Sequence, residues 1–285
     1  MAARLTIAII GPGNLGTALA VSLRRAGFAI SAVIGPERSS SRARSLAKQV
    51  GAVATRDLEG LEADVVWFCV PDSEIARAAR GFAVASWKGR VALHSSGVLT
   101  SDELNVLRGK GAAVASVHPL MTFVEGSRPA LAGVPFAIEG DRRAARAARQ
   151  IVRQLGGNVY SIRKEDKAAY HAWGTFASPL LTALLATTER IAGAAAVERA
   201  QARRRMIPIL MQTLANYAQF GAAGGFSGPL VRGDVNTVRR HLRVLAKVPD
   251  ARRVYRALAQ AAIEYLPVKN KNELKRALET DSRSS

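Results

Sequence analysis

The groups best suited to moving a proton sit in two segments far apart in the chain. Lys167 and His171 belong to the run Lys167-Ala168-Ala169-Tyr170-His171, where the i, i+4 spacing puts both on one face of a helix. A lysine in a partly desolvated site offers an oxyanion both a proton and a fixed positive charge. Gly174 is expected to leave that helix face open for a ring or a substrate. His118 stands before Pro119, just after Ala112 to Val117, an apolar run that reads as a strand. An imidazole at a strand's carboxyl end can donate to a carbonyl or carry a proton near neutral pH. A packed histidine and a solvated lysine would give the same letters, so neighbouring motifs must decide.

Another predicted strand, Val91 to His94, runs into Ser95-Ser96-Gly97. Small hydroxyl residues and a glycine at a strand end can bind a carboxylate through side chains and backbone N–H groups. His94, Ser95, Ser96 and Gly97 are therefore candidate substrate ligands, although the same residues also make a helix cap. Two of the chain's four histidines thus fall at neighbouring strand ends. Farther on, Gly228-Pro229-Leu230-Val231-Arg232-Gly233-Asp234 carries tight-turn chemistry. Arg232 could pair with an anionic substrate group, and Asp234 could orient it or cap the helix that carries His241. A plain helix-helix corner would read the same way. Cys69 is the single cysteine, so the chain can build neither an internal disulfide nor a cysteine-based metal site, and no metal is expected.

What these groups would act with is written near the amino terminus. Leu5 to Ile10 is a short apolar run, Gly11-Pro12-Gly13-Asn14-Leu15-Gly16 follows at once, and Thr17 to Leu23 reads as a helix. A G-x-G-x-x-G turn between a buried strand and a helix predicts a dinucleotide site. Gly11 lets the chain turn, Gly13 lets the backbone approach a pyrophosphate, and Gly16 lets the helix pack close to the sheet. The helix N-terminus offers free N–H groups and the positive end of its dipole to the phosphates. The second strand ends Val33-Ile34-Gly35, so a glycine stands where an NAD-binding domain usually has an acid. Arg38 and Arg42, with Ser39 and Ser40, could hold a 2′-phosphate, which favours NADP over NAD. Glu37 argues the other way. The backbone of Val70-Pro71 closes the fourth strand and is placed to run beside the cofactor ribose, while Asp72 alternatively caps the next helix. Hydride delivery from a nicotinamide to a carbonyl makes an alkoxide, and Lys167 supplies what an alkoxide needs.

The elements that must position these residues alternate in the first half of the chain. Strand candidates are Leu5 to Ile10, Ile30 to Ile34, Ala52 to Thr55, Val65 to Val70, Val91 to His94, Ala112 to Val117, Pro135 to Glu139 and Asn158 to Ser161, with helices between several of them. That is the pattern of a doubly wound α/β protein with a parallel sheet. From about Lys164 the strand pattern stops, and helices follow with breaks near Pro179, Gly193, Gly221 to Gly228, Pro249 and Pro267. The expected division is an NAD(P)-binding Rossmann domain over 1–161 and an all-α domain over 162–285.

Composition bounds the rest. The chain has 285 residues, 48% of them hydrophobic, which suits a globular protein of about two domains. Single-cysteine usage suits a reducing cytoplasm, and the amino terminus enters a strand with no signal-cleavage pattern. No apolar run approaches the ~20 residues of a membrane helix. The net charge of +19 would suit an anionic partner. However, Arg142, Arg146, Arg149 and Arg153 recur at helical spacing opposite Ala144, Ala148, Ile151 and Leu155, the mark of a solvated basic face. With no interleaved aromatic residues, nucleic acid is a minor expectation.

Taken together, Gly11 to Gly16, His94-Ser95-Ser96-Gly97, His118-Pro119-Leu120, Lys167 with Tyr170-His171, and Gly228-Pro229 with Arg232-Gly233-Asp234 and His241 carry a resemblance over nearly the whole chain. The sequence resembles bacterial Rossmann-like proteins with a C-terminal domain of unknown function. These are relatives of the 6-phosphogluconate dehydrogenase, ketopantoate reductase and pyrroline-5-carboxylate reductase group. The wider group often uses a lysine with an asparagine four residues later, so the resemblance implies that Lys167 donates a proton and that His171, in the asparagine's place, orients the substrate. His118-Pro119 is similar to the pair in prephenate dehydrogenases whose histidine contacts the substrate hydroxyl. Family members often carry an asparagine after this helix start, whereas Ser178-Pro179 stands here and the proline should kink the helix. Some members resemble an alternative ketopantoate reductase. That implies NADPH as hydride donor to a small 2-oxo acid, with Ser95, Ser96 and Arg232 on the carboxylate, His118 or His171 on the carbonyl, and a homodimer. An imine reductase of the pyrroline-carboxylate type and a non-catalytic NADP sensor are the alternatives.

Overall fold

The computed structural model describes residues 5–35, 40–56, 62–84 and 86–279. Arg38 and Ser39, expected at the cofactor, lie outside the described residues.

The first part of the chain runs β1 (Thr6–Ile10), α1 (Asn14–Arg25), β2 (Ala29–Ile34), α2 (Ser40–Val50), β3 (Val53–Thr55), β4 (Val65–Phe68), α3 (Asp72–Gly81) and β5 (Val91–His94). After a 3-10 turn at Ser101–Leu104 come α4 (Asn105–Arg108), β6 (Ala113–Pro119), β7 (Pro135–Gly140), α5 (Arg142–Gln154), β8 (Asn158–Ser161) and α6 (Lys167–Thr175). The strands form one sheet in the order β3-β2-β1-β4-β5-β6-β7-β8. β4 (Val-Val-Trp-Phe) is buried throughout because helices cover both sheet faces. Ile7, Ile9, Leu19, Leu46 and Ile151 pack on one face, and Ala8, Ile10, Ile75, Leu104 and Leu107 on the other.

The expectation of a parallel sheet needs one correction. β1 to β6 are parallel, but β7 runs antiparallel to β6, with Ser116 opposite Glu139 and His118 opposite Ala137. A parallel partner needs a crossover, usually a helix, and residues 120–134 contain none. β8 then returns parallel to β7 across α5.

Two compact units emerge, Met1–Phe176 and Ala177–Ser285. The first includes α6, which the change of pattern near Ser161 places in the second. Pro179 lies in a π turn, Phe176–Leu180, as expected of a residue that lacks an N–H for the helical ladder. The second unit consists of α7 (Leu181–Gly193), α8 (Arg199–Gly225), α9 (Pro229–Arg232), α10 (Val235–Leu245), α11 (Pro249–Tyr265) and α12 (Lys271–Glu279). Its core joins Val238 and Leu242 to Ile263, Leu274 and Leu278.

Candidate active site

The glycine turn leaves β1 at the carboxyl edge of the sheet. Gly11 takes φ +97°, and a Cβ there would stand 2.7 Å from the Cys69 carbonyl oxygen and 3.0 Å from Val70 Cγ1. The turn is therefore pressed against the end of β4, beside Val70-Pro71. A Cβ on Gly16 would collide with the Gly11 carbonyl oxygen, so α1 approaches the turn as only a glycine permits. Gly13, by contrast, has nothing within 4 Å of a Cβ position. It also precedes a 12-residue helix whose N-terminus no side chain caps. An open face over free N–H groups fits a pyrophosphate.

A cavity adjoins this turn, lined by Pro12, Gly13, Asn14, Arg42, Ser127 and Arg128 among others. The segment after β6 closes one side of it. Asn14 Nδ2 donates to the Phe123 carbonyl at 3.3 Å, and Arg42 pairs with Glu125 at 3.2 Å. Arg42 was expected here, whereas Glu125 and Arg128 belong to a segment without motif character.

His94 does not face a ligand, contrary to expectation. It is 0% exposed, its Nδ1 accepts from the Ser96 N–H at 3.1 Å, and its Nε2 donates to the Thr100 carbonyl at 2.9 Å. Because a carbonyl can only accept, these two bonds fix the neutral tautomer with its proton on Nε2. Burial accordingly pushes the ring down to about 4. The hydroxyls of Ser95 and Ser96, expected on a carboxylate, are buried and bonded within the protein instead: Ser95 Oγ accepts from Trp67 Nε1 at 2.8 Å. Ser96 Oγ donates to Asp72 Oδ2 at 2.8 Å and accepts from the Leu99 N–H at 2.9 Å. Thus Asp72, the first residue of α3, helps to hold the Ser95–Gly97 turn.

Lys167 sits under that turn and is wholly enclosed. Its Nζ donates to Ser116 Oγ at 2.7 Å and to the Ser96 carbonyl at 3.1 Å, and Ser116 Oγ donates to the same carbonyl at 3.1 Å. Burial pushes the ammonium down to about 8, while the carboxylates of Glu139 and Asp72 hold it up. Ser116 and Glu139 were not expected at the site, since only the strand register brings them there.

His118 and His171 flank Gly97, and both rings are half-buried. A Cβ on Gly97 would stand 2.5 Å from His171 Cδ2 and 2.9 Å from His118 Nε2. The two rings cross edge-to-face with centroids 6.1 Å apart. His118 Nδ1 and the Tyr170 hydroxyl are hydrogen-bonded at 2.7 Å. Burial and the nearby Lys167 charge push His118 down to about 4, so it is neutral at pH 7. Burial raises the Tyr170 phenol, which stays protonated. Gly174 does not leave its face open as expected, because a Cβ there would meet Leu120 Cδ1 at 3.1 Å.

Gly97, His118, Lys167 and His171 therefore converge in the first unit. Arg232 and Asp234 belong to the second. Arg232 ends α9, and Asp234 caps α10, accepting from the Thr237 N–H at 3.0 Å and the Thr237 hydroxyl at 2.7 Å. Among the described residues no group of three His, Cys, Asp or Glu could hold a metal ion.

A wound α/β sheet with a glycine turn at the point where the strand order reverses defines a Rossmann-like protein. Residues 1–119 match the Rossmann-like domain family, and residues 134–262 match a domain of unknown function, DUF2520. No curated protein matches the sequence. Among solved structures, the chain is similar to a Bacteroides fragilis protein described as a candidate NADP oxidoreductase. The two are 26% identical, with a TM-score of 0.76 over 90% of this chain and 97% of that one. A Thermotoga maritima protein shares 24% identity with a TM-score of 0.70 over 97% of this chain and 100% of that one. An imine reductase from Pseudomonas sp. shares 18% identity with a TM-score of 0.66 over the same shares of the two chains. The last two likenesses show the fold.

Proposed function

We propose that the chain is an NADP-dependent oxidoreductase acting on a small, carboxylate-bearing 2-oxo acid. One observation carries this reading. The glycine turn after β1, Gly97 after β5 and His118 near the end of β6 share the carboxyl edge of the parallel strands β1 to β6, with His171 of α6 against Gly97, and doubly wound folds bind ligands at that edge. The likeness to the Bacteroides fragilis protein supports the choice of cofactor.

Gly11, Gly13 and Gly16, with the N-terminus of α1, would hold the pyrophosphate, and Arg42 the 2′-phosphate. NADPH bound there supplies the hydride. His118 and His171 are the groups able to meet the substrate oxygen. Tyr170 fixes the His118 ring through Nδ1, which leaves Nε2 beside Gly97. Lys167 acts from below as a fixed positive charge and proton store, coupled to the turn through the Ser96 carbonyl.

The enclosure of Lys167 favours a second reading, an imine reductase. Hydride addition to an iminium carbon yields a neutral amine and leaves no oxyanion for a lysine to protonate. The deciding experiment follows NADPH oxidation by purified protein against 2-oxo acids, ketopantoate included, and cyclic imines, with Lys167→Ala alongside. Turnover of a 2-oxo acid that the variant loses supports the first reading. Imine turnover that the variant keeps supports the second. NADPH binding without turnover on any member leaves a non-catalytic sensor.

A homodimer belongs to the same proposal. α8 exposes Ile209, Met211, Leu214, Tyr217 and Phe220 to solvent, and a second copy would cover such a face. Sedimentation at equilibrium tests it. Among the described residues no helix is long and apolar enough to cross a membrane. A cytoplasmic location is part of the proposal.

A further inference from the structure

Glu139 is a buried acid that no motif announces, and its surroundings give it a task. It is 6% exposed on β7, Oε1 accepts from the Ser101 N–H at 2.5 Å, and Oε2 accepts from the Ser101 hydroxyl at 2.8 Å. The antiparallel ladder sets it directly opposite Ser116. Directly opposed residues of such a pair project to the same face of the sheet, with Cβ atoms about 4.5–5.5 Å apart. Ser116 Oγ is the group that receives the Lys167 ammonium. One serine is therefore paired with the acid across the ladder and bonded to the ammonium, and both charged residues are shielded from water.

We propose that Glu139 is a positioning residue. Opposed to Ser116 across the ladder, its carboxylate keeps Lys167 protonated under the Ser95–Gly97 turn and, through Ser101, anchors the 3-10 turn that follows it. An enclosed ammonium with only neutral partners would lose its proton to avoid the cost of a buried charge. Here the two direct acceptors are neutral, a hydroxyl and a carbonyl. The compensating charge must come from the acids nearby. Glu139 and Asp72 are those acids, and of the two Glu139 is the one paired across the ladder with the ammonium's own acceptor, Ser116. The reversal of β7 thus has a consequence at the site, because its register sets an acid opposite Ser116.

The inference rests on Lys167 being the site's charge but not on any substrate, so it is tested without turnover. Protein carrying isotope-labelled lysine side chains is titrated by NMR, and the Lys167 signal is assigned by its absence in Lys167→Met. In the native protein the midpoint is expected near 8. In Glu139→Gln it is expected to fall by about 1 pH unit, and in Glu139→Asp to recover part of the way. Ser101→Ala frees the carboxylate without removing its charge and is expected to shift the midpoint far less. An unchanged midpoint in a folded Glu139→Gln overturns the proposal, as does a native Lys167 titrating at the ordinary lysine value. Should Glu139→Gln not fold, Glu139→Ala removes the same charge, and an unchanged midpoint there overturns it. A normal shift with no turnover on any substrate would count against the proposed activity and leave this inference standing.

Discussion

Gly97 and His171 approach so closely that the backbone of one and the ring of the other leave no room for a methyl group. Gly97→Ala would place a Cβ 2.5 Å from His171 Cδ2 and 2.9 Å from His118 Nε2, so both rings must turn. Rings can rotate away more cheaply than backbone, and we expect a loss of about 1–3 kcal/mol in stability. Misplacing both rings is expected to lower turnover about 100-fold. Calorimetry and kcat on the same preparation check the two effects. Native turnover in the variant would remove the rings from the reacting groups.

The buried ammonium predicts a basic limit to activity. Lys167 titrates near 8, so kcat/KM for reduction is expected to fall as pH rises past about 8, and Lys167→Met to abolish that limb while lowering the plateau. Stability runs the opposite way. The native value lies below the ordinary 10.5, so between these values the unfolded chain holds the extra proton and stability rises with pH. A pH series of rates and urea midpoints separates the two.

His94 is expected to matter for folding. His94→Ala leaves the Ser96 N–H and the Thr100 carbonyl without their partners and opens a cavity, at a cost of about 3 kcal/mol. Its native value near 4, below the ordinary 6.5, means the unfolded chain takes up a proton first on acidification. Stability is therefore lost as pH falls from about 6.5 through about 4, and His118 adds to the same window. Urea denaturation at stepped pH reads the slope, which His94→Ala should reduce.

Arg42 is expected to choose between cofactors. Removing its charge should weaken NADPH about tenfold and leave NADH unchanged, as measured by fluorescence titration. The Arg42–Glu125 pair is solvent-exposed, so Glu125→Gln should cost little stability and strengthen NADPH. Equal loss of both cofactors in Arg42→Ala would place the guanidinium on the pyrophosphate.

What could be read from the letters was whatever chemistry is local. The Gly11 to Gly16 turn declares itself because its glycines fall within six residues between a strand and a helix, two answering close backbone approaches and Gly13 leaving an open face. The strand ends at His94 and His118 were legible for the same reason. The direction of a side chain was not. His94 at a strand terminus reads identically whether it faces a ligand or bends back onto Thr100, and Gly174 reads as open space although Leu120 fills it. The direction of β7 was hidden too, because a buried apolar strand carries no mark of its polarity. Ser116 and Glu139 meet Lys167 only through the pairing of β5, β6 and β7, which long-range packing decides.

The hairpin-like return from β6 to β7 has a consequence for how such a protein can change. Because β7 starts where β6 ends, residues 120–134 never leave the sheet edge that carries the glycine turn, and Phe123 already reaches Asn14. A crossover would have threaded this segment through a packed layer. Its exposed stretch, 124–128, can lengthen, shorten or change sign while Leu131 and Val134 stay in the core and the strand pairings hold. It is the natural place for sequence drift, or for an engineer, to retune what the edge accepts while the sheet beneath keeps its register.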